Sequence, residues 1–303
     1  MDKEIYRQFC EIAGEGCVLV DEPMRRHTTF RIGGPADYLI RPETEEVLRK
    51  ILALCAEEKL PYFILGNGSN LLVSDQGYRG VIIQIYKNFQ QCVTEGNVIR
   101  AGAGILLSRL SAAAGEAGLT GLEFASGIPG TLGGAVFMNA GAYGGEMKDI
   151  LSWADVLDEE RKLRRLSAEE LELGYRTSRV KKEGWIVTGA ELKLKFGDPE
   201  KIREKIEELK AARTSKQPLE YPSAGSTFKR PEGYFAGKLI MDAGLRGFRV
   251  GGAQVSEKHC GFVINTGNAT AADVRELMRQ VQEKVWEKYQ VRLEPEVRFL
   301  GDF

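Results

Sequence analysis

The residues best suited to chemistry are backbone amides in a glycine-rich segment, residues 124–145. This segment holds seven glycines and no charged residue. Because glycine loses the most backbone entropy on folding, such a density indicates a chain that bends sharply or lies directly against another group. The segment can offer an anion its main-chain N–H groups and the side chains of Ser126, Thr131 and Asn139. The alternative interpretation is a buried connection that binds no ligand.

A second loop with closely spaced amides spans residues 66–70, of sequence Gly-Asn-Gly-Ser-Asn. It directly follows the apolar residues 62–65, which predict a buried strand. Successive N–H groups in such a turn can form an anion-binding nest. A diphosphate that touches both loops would suit a dinucleotide bound in an extended form. For residues 66–70 taken alone, an ordinary turn is the alternative.

A serine follows a glycine in the segment 221–231, so a tight turn can present the hydroxyl of this residue, Ser226. The chain around it has an excess of positive charge, from Arg213, Lys216, Lys229 and Arg230. These residues can bind an anionic ligand, or they can form a solvated basic loop. Two shorter segments, residues 175–178 and 293–301, are equally ambiguous in isolation, because a lone arginine after a tyrosine is usually a surface ion pair.

Common signatures of nucleotide and metal sites are absent from the sequence. Neither G-x-G-x-x-G nor G-x-x-x-x-G-K-[ST] occurs, which excludes a Rossmann fingerprint and a P-loop. No H-E-x-x-H motif or cysteine cluster offers a metal site, so we expect no metal. His27 and His259 are the only histidines, which leaves few candidates for a Ser–His or Cys–His pair.

The composition is typical of a soluble protein of the cytoplasm. The 303 residues carry 42 basic and 43 acidic side chains, so no global field favours nucleic acid or an anionic membrane as a partner. The five cysteines are scattered without C-x-x-C spacing, which indicates reduced thiols. Residues 1–16 lack a signal-peptide core, and no stretch approaches ~18 apolar residues. The length allows two or three lobes.

The elements that must position these residues read as strands mixed with helices, without the regular alternation of a doubly wound sheet, which favours an α+β fold. The pattern predicts a helix over residues 106–117 that leads into the glycine-rich segment. It predicts a strand, a Gly-Gly-Pro turn and a second strand over residues 27–40. A small helix is expected at 168–173 and a long one from about 270 to 289. The break at residues 197–199 marks a predicted lobe boundary.

Six motifs, in this order and at these intervals, resemble the UDP-N-acetylenolpyruvoylglucosamine reductase family: TTFRIGGPADYLI, LGNGSNLLVSD, GIPGTLGGAVFMNAGAYGGEM, YRTSR, SAGSTFKRP and LEPEVRFLG. The resemblance implies an FAD-binding region of the vanillyl-alcohol-oxidase type over residues 1–196, with two α+β subdomains at about 1–85 and 86–196. It implies a smaller α+β substrate-binding lobe over residues 197–303. The close spacing between Gly197 and Ser226 resembles the shorter branch of the family, which lacks an extra substrate-capping loop.

The resemblance also implies an activity, the NADPH-dependent reduction of UDP-N-acetylglucosamine enolpyruvate to UDP-N-acetylmuramate through non-covalently bound FAD, in peptidoglycan precursor synthesis. By the same resemblance Ser226 is the proton donor, Arg176 stabilises negative charge and Glu296 is the catalytic glutamate. The positions expected near the substrate are Arg213, Lys216 and Lys229. In the other branch of the family the residue after this last lysine is an asparagine that touches the substrate. Here it is Arg230, and that contact is not carried over.

By the same resemblance, the residues expected to cradle FAD lie in the two glycine-rich loops and are Gly66, Asn67, Gly68, Ser69, Asn70, Leu71, Ser126, Gly127, Ile128, Pro129, Gly130, Gly133, Asn139, Gly141 and Tyr143. We expect a monomer whose partner is a small-molecule substrate. Two alternatives remain open. One is another FAD-dependent sugar or hydroxy-acid oxidoreductase of the same fold, which often tethers the flavin through a histidine. The other is a non-catalytic nucleotide-sugar-binding protein, which need not keep Ser226, Arg176 and Glu296 together.

Overall fold

The structure is a computed structural model, and it describes residues 2–303. Its α-helices, in chain order, are α1 Lys3–Ala13, α2 Glu45–Glu57, α3 Leu107–Glu116, α4 Leu132–Met138, α5 Arg179–Glu183, α6 Pro199–Lys216, α7 Ala236–Asp242 and α8 Ala271–Tyr289. Single 3₁₀ turns lie at Glu15–Cys17, Met24–Arg26, Lys87–Phe89, Glu123–Ala125 and Met147–Asp149.

The strands, in chain order, are β1 Val18–Pro23, β2 Pro35–Ile40, β3 Tyr62–Leu65, β4 Leu71–Val73, β5 Tyr78–Gln84, β6 Cys92–Glu95, β7 Val98–Gly102, β8 Leu119–Thr120, β9 Gly141–Ala142, β10 Gly145–Glu146, β11 Leu151–Leu157, β12 Leu163–Ser167, β13 Ile186–Lys193, β14 Lys195–Phe196, β15 Ser223–Ser226, β16 Arg249–Val250, β17 Ala253–Val255, β18 Phe262–Asn265 and β19 Arg298–Leu300. The larger sheets have the orders β1-β2-β5-β3, β12-β11-β13-β7-β6 and β15-β18-β17-β16. Strand pairs join β9 to β10, β8 to β14, and β4 to β19.

The chain forms two compact units. The first unit comprises the chain up to Leu19, Leu39–Asn67 and Val81–Arg213. The second unit comprises Val20–Tyr38, Gly68–Gly80 and Thr214–Phe303. Each unit contains helices and mostly antiparallel strands, which confirms the predicted α+β class.

In the first unit, the sheet β12-β11-β13-β7-β6 is antiparallel throughout. Strand β7 shows why it forms, because buried Ile99 and Ala101 alternate with exposed Arg100, as expected for a strand with one solvated face. Helix α4 packs against β13 of this sheet. Helix α3 buries Leu107 and Leu110 at helical spacing and leads toward the glycine-rich segment, so the helix predicted at 106–117 is confirmed.

In the second unit, α8 and the sheet β15-β18-β17-β16 share one apolar core. Helix α8 begins with a capping box, in which Thr270 and Asp273 each accept a hydrogen bond from the other residue's backbone N–H. Its buried residues recur at helical spacing and are Ala271, Val274, Leu277, Met278, Val281 and Val285. The predicted helix at 270–289 is therefore confirmed. Strand β19 pairs in parallel with β4, which joins the chain end to residues 71–73.

Two local predictions were wrong. Residues 27–32 were expected to form a strand, but they fold irregularly, since Thr28 Oγ1 donates to the Ile32 carbonyl (3.2 Å) and Arg31 adopts a left-handed φ of 55°. Residues 168–173 were expected to form a helix. They form only turns, because Glu172 adopts a left-handed φ of 46° and stops the chain from continuing as a helix.

No helix within residues 2–303 combines the length and the apolar character needed to cross a bilayer.

Candidate active site

The two amide-rich loops meet in the first unit. The Asn67 side chain donates from Nδ2 to the Pro129 carbonyl at 2.7 Å. A methyl group added to Gly66 would lie 2.5 Å from Thr131 Oγ1, so the main chain at Gly66 passes directly against this side chain. Thr131 is buried and caps α4 by accepting the Gly134 N–H at 3.4 Å. The structure thus brings residues 66–67 and 129–131 together across 62 residues of sequence.

The glycine-rich segment is anchored at the start of α4 by backbone hydrogen bonds to residues 103–105, which directly follow β7. Leu132 N–H donates to the Ile105 carbonyl (2.9 Å), and Gly133 N–H donates to the Ala103 carbonyl (2.8 Å). Gly133 needs its bare backbone for this, since an added Cβ would lie 2.9 Å from the Ala103 Cβ. Beyond α4, the segment returns as the hairpin β9–β10, which presents the exposed ring of Tyr143 at a left-handed φ of 52°.

Arg213 lies against the same segment. A Cβ at Gly127 would be 2.6 Å from Arg213 Nη1 and 3.0 Å from its Cδ, so the guanidinium occupies the space that any larger residue 127 would need. Burial lowers the pKa of Arg213, an effect that nearby Tyr143 partly offsets. A half-buried cation beside bare main chain is a suitable setting for an anionic group.

Gly68 to Leu71 belong to the second unit, where they touch the chain end. Asn70 Nδ2 donates to the Glu296 carbonyl at 3.1 Å, and the Arg298 N–H donates to the Asn70 carbonyl, also at 3.1 Å. Leu71 is the first residue of β4 and lies opposite Arg298 in the parallel pair. The loop 66–70 therefore continues into the strand that lies beside residues 296–298.

The second unit brings Ser226 and Glu296 to neighbouring segments. The Glu296 N–H donates to the Thr227 carbonyl (2.9 Å), and the Lys229 N–H donates to the Glu294 carbonyl (2.8 Å). Ser226 and Glu296 are both half-buried. Residues 226–229 and 294–296 thus run side by side.

A β-bulge precedes Ser226 in β15. The pairing of β15 with β18 shifts in register between Ser223 and Ser226, and Gly225 between them has a left-handed φ of 76°. Such an irregularity bends a strand and redirects the residue that follows. The turn predicted from the Gly-Ser sequence is therefore a bulge inside a paired strand.

Arg176 belongs to the first unit, where it sits in a four-residue turn. Gly174 and Thr177 exchange backbone hydrogen bonds of 3.0 and 3.2 Å, and Arg176 between them adopts a φ of 55°. Lys181 Nζ donates to the Arg176 carbonyl at 2.9 Å. The remaining predicted substrate residues lie in the second unit. Lys216 is exposed at the end of α6, and Lys229 forms an ion pair of 2.9 Å with Glu294.

The histidines have structural partners. His27 Nε2 lies 2.8 Å from Glu22 Oε1, and both side chains are largely buried. His259 Nδ1 accepts the Gly261 N–H at 3.1 Å, and burial lowers the pKa of His259. Within residues 2–303, no group of three or more His, Cys, Asp and Glu side chains is placed to hold a metal ion.

Two supporting residues were missed at the sequence level. Thr29 Oγ1 donates to the Ser223 carbonyl at 2.6 Å and holds the start of β15 in place. Its signal in the sequence is the motif TTFRIGG at residues 28–34. The sequence predicts Thr131 as a hydrogen-bond donor to an anion, but its position before an apolar helical stretch is that of an N-cap, the role that the structure shows.

Comparison with known proteins identifies the family. A family model described as UDP-N-acetylenolpyruvoylglucosamine reductase, C-terminal domain, matches residues 217–300, and an FAD binding domain model matches residues 36–167. The UDP-N-acetylenolpyruvoylglucosamine reductase of Alkaliphilus oremlandii is 53% identical over 100% of both chains. The protein of that name from Clostridium perfringens is 55% identical over 98% of both. This chain belongs to the UDP-N-acetylenolpyruvoylglucosamine reductase family.

A solved structure agrees with this assignment. The crystal structure of UDP-N-acetylenolpyruvylglucosamine reductase from Thermus caldophilus superposes with a TM-score of 0.81 at 41% identity, over 94% of this chain and 98% of that one. The predicted fold, an FAD-binding region followed by a C-terminal lobe, is confirmed. The two amide-rich loops, which the hydrogen bond from Asn67 to the Pro129 carbonyl joins, fit a cofactor that carries a diphosphate.

Proposed function

We propose that this chain reduces UDP-N-acetylglucosamine enolpyruvate to UDP-N-acetylmuramate, with NADPH as reductant and FAD as carrier, in peptidoglycan precursor synthesis. The observation that carries the proposal is the pairing of residues 227–229 with 294–296 in a member of this family. That pairing supports a joint role for Ser226 and Glu296, which lie 70 residues apart in sequence.

The reaction adds a hydride to the terminal carbon of a vinyl carboxylate and a proton to C2. FAD, when bound, supplies the hydride that NADPH has delivered. Negative charge then spreads over C2 and the carboxylate, so the protein must provide an acid at C2 and hydrogen-bond donors to the carboxylate. Side chains of the protein supply these groups.

We assign the acid to Ser226, whose hydroxyl the bulge at Gly225 presents at a half-buried position. A serine hydroxyl is a weak acid, but the developing carbanion is a strong base, and a well-placed donor suffices. Glu296 orients the proton shared with the substrate carboxylate. Arg176 binds that carboxylate with its planar guanidinium, which can donate two parallel hydrogen bonds.

The cofactor is held by residues 66–71 and 126–133, with Gly141 and Tyr143 of the β9–β10 hairpin nearby. The contact between Asn67 and Pro129 supports this, because it joins the two loops of the cradle. The engagement of His27 by Glu22 supports non-covalent binding of FAD. Residues 197–303 remain the predicted substrate lobe. The diphosphate of the substrate is bound by Arg213, Lys216 and Lys229.

The ion pair between Lys229 and Glu294 is compatible with this role. Both side chains are substantially exposed, and exposed pairs of this kind contribute about 0–1 kcal/mol, so a phosphate can displace the carboxylate. We further propose that the protein is a cytoplasmic monomer. A single light-scattering peak at twice the 33.6 kDa chain mass would refute the monomer.

The test of the function uses the purified protein. A yellow protein whose NADPH consumption depends on added UDP-N-acetylglucosamine enolpyruvate, with a product heavier by two hydrogens, is the expected result. NADPH consumption that is indifferent to this sugar would favour another flavin oxidoreductase. A colourless protein that binds UDP-sugars without consuming NADPH would be a non-catalytic binding protein, and either result would refute the proposal.

A further inference from the structure

Asn139 is buried in the first unit, with 1% of its surface exposed, and each polar atom of its amide has a protein partner. Nδ2 donates to Glu146 Oε2 at 2.6 Å and to the Gly174 carbonyl at 3.1 Å. Oδ1 accepts the Lys148 N–H at 3.0 Å. If the amide were flipped, its oxygen would face the two acceptors and its nitrogen would face the Lys148 N–H donor. These three partners therefore fix the orientation of the amide.

Gly174 is the first residue of the turn that carries Arg176. Its carbonyl oxygen accepts two hydrogen bonds, one from the Thr177 N–H, which closes the turn, and one from Asn139 Nδ2. Arg176 has a left-handed φ of 55°, a conformation that costs energy for a residue with a Cβ and persists only where the surroundings hold it. The direction of the Arg176 side chain therefore depends on contacts that keep this turn closed.

Two further contacts connect the turn to α4 and α5. Ser178 is fully buried, and its Oγ donates to the Phe137 carbonyl near the end of α4 at 2.8 Å. Lys181 Nζ donates to the Arg176 carbonyl at 2.9 Å. Asn139 itself is the left-handed C-cap of α4, so the helix end and the Arg176 turn share one hydrogen-bonded junction.

We propose that Asn139 is a positioning residue for Arg176, which fixes the turn 174–177 through the Gly174 carbonyl rather than by touching the cofactor or the substrate. The inference deepens the proposed function and rests on it in one respect, the assignment of Arg176 to the substrate carboxylate. The glycine-rich segment then has two roles. Its first part holds the cofactor, and Asn139 at the C-terminal end of α4 orients Arg176, which stabilises negative charge.

The decisive variant is Asn139→Asp. It keeps the size and the acceptor for the Lys148 N–H, but it replaces two donors by an oxygen that faces Glu146 and the Gly174 carbonyl. We expect the FAD content and the rate of flavin reduction by NADPH to stay within about twofold of wild type. Reoxidation of the reduced flavin by the enolpyruvyl sugar should be slower by about ten- to a hundredfold, because small misplacements of catalytic groups have effects of this size. Amide hydrogen exchange at residues 174–178 should become faster.

Two control variants distinguish a positioning role of Asn139 from a general loss of structure. Glu146→Gln keeps an acceptor for Asn139 Nδ2, and we expect near-normal reoxidation. In the double variant with Asn139→Asp, the new glutamine amide can donate to the new carboxylate, but the hydrogen bond to the Gly174 carbonyl is not restored. Reoxidation of the flavin should therefore stay slow. If Asn139→Asp does not fold, Lys181→Met opens the same turn from its other side and should reproduce the slow reoxidation and the faster exchange.

A double-mutant cycle gives the result that decides the matter. In an Arg176→Ala background, Asn139→Asp should slow reoxidation by less than about twofold further, because residues that act as a unit are non-additive. Independent, multiplicative losses would overturn the proposal, as would unchanged exchange at residues 174–178 or a loss of FAD that accounts for the whole effect. Wild-type protein that fails to turn over the enolpyruvyl sugar would instead refute the proposed function, and the exchange measurement would still decide the positioning role.

Discussion

Two adjacent glycines of α4 differ in what an added methyl group would meet. A Cβ at Gly133 would lie 2.9 Å from the Ala103 Cβ and 3.2 Å from the Ala103 carbonyl oxygen, which accepts the Gly133 N–H. A Cβ at Gly134 would meet only Thr131 Oγ1, at an ordinary 3.6 Å. The substitutions Gly133→Ala and Gly134→Ala therefore form a matched pair within one turn of one helix.

The magnitude follows from what the pair shares. Both variants gain the helix propensity of alanine over glycine, about 1 kcal/mol, so this contribution cancels in the comparison. What remains is the cost of overpacking at Gly133, typically about 1–3 kcal/mol. We expect Gly134→Ala to be as stable as wild type or slightly more stable, and Gly133→Ala to be less stable than Gly134→Ala by that difference. A shift of about 2–4 °C in Tm per kcal/mol makes the difference measurable.

The assay is thermal unfolding of both variants, together with the ratio of FAD to protein from the visible spectrum. Because relief of the clash must move the start of α4 away from Ala103, Gly133→Ala should also lower the FAD ratio, whereas Gly134→Ala should leave it unchanged. Equal Tm values and equal FAD ratios for the two variants would refute the reasoning, since they would mean that the close approach to Ala103 neither constrains the helix nor shapes the cofactor cradle.

Three further predictions concern the second unit. Ser226→Ala should retain FAD and oxidise NADPH in the half-reaction but lose turnover of the enolpyruvyl sugar, and normal turnover in steady-state assays would remove Ser226 as the donor. Glu296→Gln should lower kcat far more than it raises KM, and a near-normal kcat would exclude Glu296 from the chemistry. Gly225→Ala, where φ is 76° and nothing lies within 4 Å of the new Cβ, adds about 1–2 kcal/mol of backbone strain. It should reduce kcat by shifting Ser226, whereas Gly244→Ala, with a φ of 79° and equally open space, should carry the same strain without loss of kcat.

Much of the fold was predictable because its signals are local. The capped helix at Thr270 and the apolar stripe of α3 depend on residues within one or two helical turns, and both predictions are confirmed. The prediction of a strand over residues 27–32 was wrong because the alternating pattern of these residues matches a strand, while contacts with distant residues determine their conformation. The Thr29 N–H donates to the Gly68 carbonyl, and the Thr29 hydroxyl donates to the carbonyl of Ser223, which is 194 residues away. No local pattern carries that information.

The candidate site divides in the same way. Motif order identified the loops and the serine, and the family match agrees with the assignment of the loops to an FAD binding domain. The pairing of Thr227 with Glu296 and the contact of Asn67 with Pro129 had no local signal, because each joins segments far apart in the chain. The roles of individual residues in the site stay predictions until variants are measured.

Asn139 shows why residue type and motif position are weaker guides than geometry. An asparagine in a glycine-rich loop can donate to an anionic ligand, and the family resemblance includes Asn139 in the predicted cradle. The same side chain tolerates a left-handed φ and can cap a helix C-terminus, and here its φ is 43°. Since burial and three protein hydrogen bonds occupy the amide, a ligand could use it only by breaking the junction that holds the Arg176 turn. The energetic balance favours the structural contacts, because a buried donor left without its partner costs about 1–3 kcal/mol.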